Sequence, residues 1–190
     1  MPASFASLAA RQTWLEPLEV RLQSAVRRGL ENLGPNHERI EAFLHGEQLG
    51  HPLHVMLTDV PLGSWTTAMV CDAIGAFSRE DRWDTAAQTA IGVGLAGALG
   101  AAVAGLADWS RLAGANRRIG LIHGLINIAG VAAFAGSLAR RRRNSGGRLL
   151  SLGGYALAML SARLGGYLVY QARVGVQPAK EEPLPWREVA

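Results

Sequence analysis

The sequence predicts an all-α membrane fold: a polytopic, antiparallel bundle of four transmembrane helices, preceded by an N-terminal amphipathic helix. Three observations carry that expectation. Four stretches, at about 53–78, 86–107, 119–139 and 149–171, reach the roughly 20 mostly apolar residues that a spanning helix needs. The second and third are apolar on every face, a pattern that water-exposed helices of a soluble bundle cannot use. The connections SREDRWD, DWSRLAGANRR and RRRRNSGGR are short and charged, and short connections make successive helices antiparallel neighbours.

Each element has its own justification. From Thr13 to Leu33, the residues Leu15, Leu18, Leu22, Val26, Leu30 and Leu33 recur at helical spacing with Glu and Arg between them. That pattern reads as an amphipathic helix, ended by Gly34-Pro35, which either lies on the membrane or caps the bundle. The first apolar segment opens on HPLHVMLTDVPLGSW and is interrupted by Asp59 and Asp72. Pro52 suits a helix start, His51 is a candidate cap, and Pro61 is tolerable because neighbours in a bundle can satisfy the carbonyl it frees. The second segment carries no charge; the third is polar only at His123, Asn127 and Ser137; the fourth contains Arg163. Residues 172–190 are rich in Pro and Glu and read as a solvated tail. The expected division is therefore an N-terminal extension over 1–50, a transmembrane domain over 51–171 and a tail over 172–190.

Charge and cysteine usage exclude several functions. The net charge of +4 comes from 18 arginines and the single Lys180, and the arginines gather between apolar segments, as in Arg140–Arg143. That placement fits membrane loops and argues against nucleic-acid binding. One cysteine, Cys71, excludes an intrachain disulfide and a CxxC metal site. No basic start followed by an apolar core marks a cleaved signal peptide. Loops one and three share a side and hold seven arginines (79, 82, 140–143 and 148), which favours placing them in the cytoplasm. Trp83, Trp109, Tyr167 and Tyr170 fall at segment ends, where amphipathic aromatics prefer the interface.

Glycine explains packing better than chemistry. Gly92, Gly94 and Gly97 match the dinucleotide fingerprint GxGxxG, yet that chemistry needs a strand-to-helix turn and these lie inside an apolar helix. Gly97, Ala101 and Gly105 form one small-residue stripe, and Gly154, Ala158, Ala162 and Gly166 another. Such stripes let helix backbones approach closely in lipid.

The expected topology then gathers polar residues. His51, His54 and Asp59, Asp108 and Trp109, His123 and Asn127, and Arg163, Tyr167 and Tyr170 all fall near one membrane face. At about 1.5 Å per residue, Asp59 and Arg163 lie roughly 10 Å below it. A polar residue within a membrane segment is costly and is a functional candidate by default. Asp59 and Arg163, at matched depth, can neutralise each other; Asp72, near the opposite face, can pair with Arg79 or Arg82. Asn127, one turn from His123, can fix its tautomer. Two histidines at similar depth on different helices suit axial ligation of a b-type haem. They also suit a divalent metal, with His54 and His123 joined by Asp108 or Asp59 as carboxylate, and His51 is a further candidate ligand for either group. A structural network or a proton relay remains open, and so does a small-solute pathway, for which four helices would have to oligomerise.

GHPLHVMLTDVPLGSW, the following Asp72, GLADW at 105–109, HGLIN at 123–127 and GGYLVYQARVGV at 165–176 together resemble an uncharacterised family of bacterial multi-pass membrane proteins. It is the domain-of-unknown-function family number twenty-two thirty-one. The resemblance covers roughly residues 50–176; Val55 stands where the family's HPLHP pattern has its last proline. It implies a four-helix membrane domain in the cell (inner) membrane. Some relatives carry a fused Rieske-type iron–sulfur domain, which implies electron transfer. Here the redox partner would be a separate protein, and the chain, if active, a membrane redox component. The resemblance brings no catalytic residues with it.

Overall fold

A computed structural model describes residues 5–176, and the described residues contain helices and no strand. The expected tail beyond 176, with Lys180, lies outside them. Three short helices come first: α1 (Phe5–Ala10), α2 (Glu16–Glu31), entered through a 3-10 turn at Thr13–Leu15, and α3 (His37–Leu44). Four long ones follow: α4 (Leu53–Ser78), α5 (Asp81–Ser110), α6 (Gly114–Arg141) and α7 (Arg148–Gly166), the last running into a π-helical turn at Tyr167–Gln171.

The first apolar segment matches α4, whereas α5 and α6 extend beyond 86–107 and 119–139 at both ends. Hydropathy marks only the apolar middle of a helix; charged residues such as Asp81, Asp84 and Arg141 continue it beyond. Asp81 and Asp84 occupy the first turn of α5, where a helix dipole favours negative charge. The α4–α5 connection is shorter than its charged sequence suggests. It turns on Arg79, whose left-handed φ of 56° lets its N–H bond the Gly75 carbonyl.

The contact order fixes how the helices run. Along α4 and α5 the close approaches are His54 with Gly105, Val60 with Gly97, Trp65 with Gly94 and Gly75 with Trp83, so these two helices run oppositely. Along α6 and α7 they are His123 with Ser161, Gly130 with Gly154 and Ser137 with Ser151, again opposed. His54 with His123, Trp65 with Phe134 and Asp72 with Arg141 run α4 and α6 in the same direction.

The centre is dry and aromatic. Trp65 stacks on Phe134 at 4.3 Å between ring centroids, amid Ala68, Cys71, Ala87 and Ile91. The outer faces are apolar too: Leu99 is 68% exposed, Ile128 66% and Leu149 85%. A soluble protein reverses that pattern. Helices α5 and α6 are long and apolar enough to cross a membrane by length and composition.

Of the two glycine stripes, the one on α5 packs as expected, with Gly97 against Val60 and Pro61 and Gly105 against His54. The α7 stripe holds for only half its length. Gly154 and Ala158 face α6, but Ala162 is exposed, and the buried line continues through Ser161, Leu164 and Leu168. A strict four-residue step drifts about 40° round a helix each time, so the contact shifts to Gly165, which touches His123.

The N-terminal helices cap the bundle. Glu19, fully buried, is held by Arg118 at 2.8 Å and Arg117 at 3.1 Å. The Gln23 amide donates to the Trp109 and Leu112 carbonyls, and Arg27 to the Ser110 carbonyl. The Trp109 and Ser110 carbonyls belong to the end of α5 and the Leu112 carbonyl to the connection after it, where the last helical acceptors lack intrahelical donors. The buried face of α2 is therefore Leu15, Glu19 and Gln23, while Leu18, Leu22 and Leu33 stay exposed. The leucine stripe is corrected to this mixed face because what α2 covers is a polar helix end.

Candidate functional site

All four long helices meet at one pair of imidazoles. His54 on α4 and His123 on α6 face each other edge to face, 6.2 Å between ring centroids and 89° between planes. Each ring is anchored through Nδ1 to a main-chain carbonyl of the neighbouring helix: His54 to Ala101 of α5 at 2.7 Å, His123 to Ser161 of α7 at 3.0 Å. A carbonyl can only accept, so both Nδ1 atoms carry the proton and both Nε2 atoms keep a lone pair. Asn127, one turn on from His123, donates to His123 Nε2 at 3.0 Å, which agrees with the tautomer-fixing role expected of it. The Ser161 hydroxyl donates to the His123 carbonyl at 3.1 Å. Gly105 and Gly165 lie against the two rings; a Cβ on Gly105 would stand 2.7 Å from His54 Nδ1, and one on Gly165 3.1 Å from His123.

Several expected members of the site are elsewhere. His51 is exposed and caps nothing: the N-cap of α4 is Pro52, with no side-chain cap. Asp59 and Arg163 are exposed, and no ion pair joins them among the described residues. Asp59 sits about 140° round α4 from His54, and Arg163 about 200° round α7 from Ser161, at 100° per residue. Both thus point away from the imidazoles. Tyr167 packs against the Ile119, Leu164 and Leu168 cluster. Trp109 is buried, not interfacial, and its indole donates to the Arg117 carbonyl at 2.8 Å.

Asp108 is the main correction. It bonds His45, with Nδ1 to Oδ1 at 2.6 Å and side-chain exposures of 8% for His45 and 12% for Asp108. The proposed divalent set of His54, His123 and Asp108 therefore loses its carboxylate. No group of three or more His, Cys, Asp or Glu able to hold a metal forms among the described residues. Sequence reasoning passed over His45 because it stands outside the apolar segments and in no motif. The following Gly46, at φ 74°, is the available signal, since a glycine there ends α3 and turns the chain back to the bundle.

At the opposite end of the bundle, Asp72 pairs with Arg141 at 2.6 Å and with Arg148 at 3.6 Å, not with Arg79 or Arg82. Arg79 is spent on the turn, and Arg82 pairs with Glu80. Arg141 also reaches Asp84 at 2.5 Å and the hydroxyls of Ser137 and Ser151. One guanidinium thus ties α4, α5, α6 and α7 together.

Buried imidazoles and guanidinium inside an apolar-faced helical bundle define the class as a helical membrane protein with internal polar nodes. More particularly, residues 50–178 match the family described as Predicted membrane protein (DUF2231), and the chain belongs to that family. No curated protein and no solved structure matches the chain.

Proposed function

We propose that all four long helices span the membrane as one multi-pass domain, capped by residues 5–50, and that His54 and His123 would hold a haem-type iron centre serving electron transfer. The observation that carries this reading is the double anchoring of the imidazoles, each Nδ1–H held by a carbonyl, so that Nε2 is the nitrogen each ring would offer, that of His123 only in place of its bond from Asn127. Metal-ligating histidines are oriented by such partners at the other nitrogen. Two protein ligands are too few for a closed zinc site but suffice where a macrocycle supplies the remaining donors. The seven arginines at 79, 82, 140–143 and 148 favour the cytoplasm for their end of the bundle by the positive-inside rule, and a separate protein would act as redox partner.

The close contact of Gly105 and Gly165 with the rings favours a second reading, a cofactor-free polar node that only fixes helix packing, because a macrocycle there needs the helices to part. Haem and iron content separates the two. Protein purified from its native membrane in mild detergent contains about one haem per chain on the first reading and loses it in His54→Ala and in His123→Ala. Folded wild-type protein with neither haem nor iron leaves the packing node.

A further inference from the structure

The turn between α6 and α7 carries positive charge that the bundle does not use. Seven arginines, at 79, 82, 140–143 and 148, gather at this end against the carboxylates Asp72, Glu80, Asp81 and Asp84. Arg141 takes Asp72 and Asp84, and Arg82 takes Glu80. Arg140 folds back over the turn, donating through Nε and Nη2 to the Ser145 carbonyl at 3.2 and 2.9 Å. Arg142 and Arg143 are exposed, and neither guanidinium has an ion pair or hydrogen bond among the described residues. Arg148, half exposed, stands 3.6 Å from Asp72 Oδ1, too far for a hydrogen bond to that oxygen.

The surface below these cations is apolar. Leu149 is 85% exposed and Leu152 59%, and Ala156 and Leu160 are exposed as well. At 100° per residue the four fall within about 80° round α7, and they extend for about three turns. An apolar line thus descends the outside of α7 from the arginine-bearing turn. The first turn of α7 has no carboxylate and no side-chain cap, so its free N–H groups add donors of the same electrical sense. Cations above and an apolar line below match the two parts of a phospholipid. Guanidinium groups bind phosphate oxygens through paired N–H donors. The unpaired positive charge selects a lipid of net negative charge, because a zwitterionic headgroup brings a cation of its own to the arginines.

We propose that the α6–α7 turn and the outer line of α7 bind an anionic phospholipid. Arg142 and Arg143 hold its phosphate, Arg148 adds charge beside them, and an acyl chain lies along Leu149, Leu152 and Leu160. The site rests on the reading above only in that α6 and α7 cross the bilayer; it is independent of what the imidazole couple holds.

The test is native mass spectrometry of the detergent-purified full chain, titrated with equimolar phosphatidylglycerol and phosphatidylcholine of matched acyl chains. Wild-type protein is expected to retain phosphatidylglycerol over phosphatidylcholine by about fivefold or more, the effect of one arginine near an anionic lipid. The exposed double variant Arg142→Gln/Arg143→Gln is expected to lose that preference. Arg111→Gln/Arg173→Gln, an equal loss of charge at the other end of the bundle, is expected to keep it. Leu149→Asn/Leu152→Asn is expected to weaken retention of both lipids and leave their ratio unchanged. Equal retention of the two lipids by wild-type protein, a preference that survives Arg142→Gln/Arg143→Gln, or one lost equally in Arg111→Gln/Arg173→Gln overturns the proposal. Thiol labelling separates the two readings. Positions 113 and 146 on one side of the membrane, with the lipid preference intact, defeats the spanning of α6 and leaves the headgroup site. Opposite sides without any lipid preference defeats the headgroup site alone.

Discussion

Arg141 is the residue on which the Asp72 end of the bundle depends. It is 99% buried at its side chain, and removing it leaves Asp72 and Asp84 without their shared cation. Arg141→Ala is expected to cost about 3–5 kcal/mol, the range for breaking a buried pair, read as a lower unfolding temperature in detergent. Arg148→Ala, at a half-exposed partner 3.6 Å from Asp72, is expected to cost under about 1 kcal/mol. Equal losses would show that the node is not organised around Arg141. Gly105 makes a second contrast. Gly105→Ala places a methyl against His54 and is expected to cost about 1–3 kcal/mol, whereas Gly124→Ala meets open space and is expected to change stability by under about 0.5 kcal/mol. At this scale the sequence was half legible. Depth along a helix can be counted, so His54 and His123 were brought together correctly. Direction round a helix was not counted, and that is why Asp59, Arg163 and Asp72 were assigned partners they do not have.

The helices were legible where one solvent surrounds them and illegible where two polar surfaces meet. Helices α5 and α6 follow from apolar length because lipid leaves a helix no alternative way to satisfy its backbone, and α4 and α7 follow from the apolar runs on either side of their charged residues. The short helices α1 and α3 have no such signal. The α2 stripe predicted a leucine-lined contact, yet the carbonyls ending α5 and the pair Arg117 and Arg118 drew Glu19 and Gln23 inward. Glu19→Ala is expected to cost about 3–5 kcal/mol by leaving two largely buried guanidinium groups only the more exposed Glu16, at 3.8 and 3.9 Å, and to release the cap. Limited proteolysis checks this: cleavage within residues 5–50 should accelerate while 53–166 stays protected. Cleavage unchanged from wild type would show that the cap is held by Leu15 and its apolar contacts instead.

For the whole molecule, the alternating direction of four packed helices and the apolar outer faces are what support four spans, although only α5 and α6 pass on length and composition. Helix α4 carries Asp59 and Asp72, and α7 is 19 residues long, so hydropathy understates both. Single cysteines in a Cys71→Ser background, at Gly50, Glu80, Ala113, Gly146 and Gly175, distinguish the topologies by labelling intact cells with a membrane-impermeant thiol reagent. With four spans, positions 80 and 146 behave alike and positions 50, 113 and 175 behave oppositely. Positions 50 and 80 labelling from one side would mean that α4 does not cross. The sequence carries no signature of what the imidazole couple would hold, because two histidines without a third ligand fit several chemistries. The dithionite-reduced minus oxidised optical spectrum of protein purified in mild detergent tests that centre most directly. Wild-type protein is expected to show a Soret shift with sharp α and β bands, both absent in His54→Ala and His123→Ala variants that remain folded. A featureless difference spectrum from folded wild-type protein, or bands that persist in both variants, contradicts a haem iron held by His54 and His123.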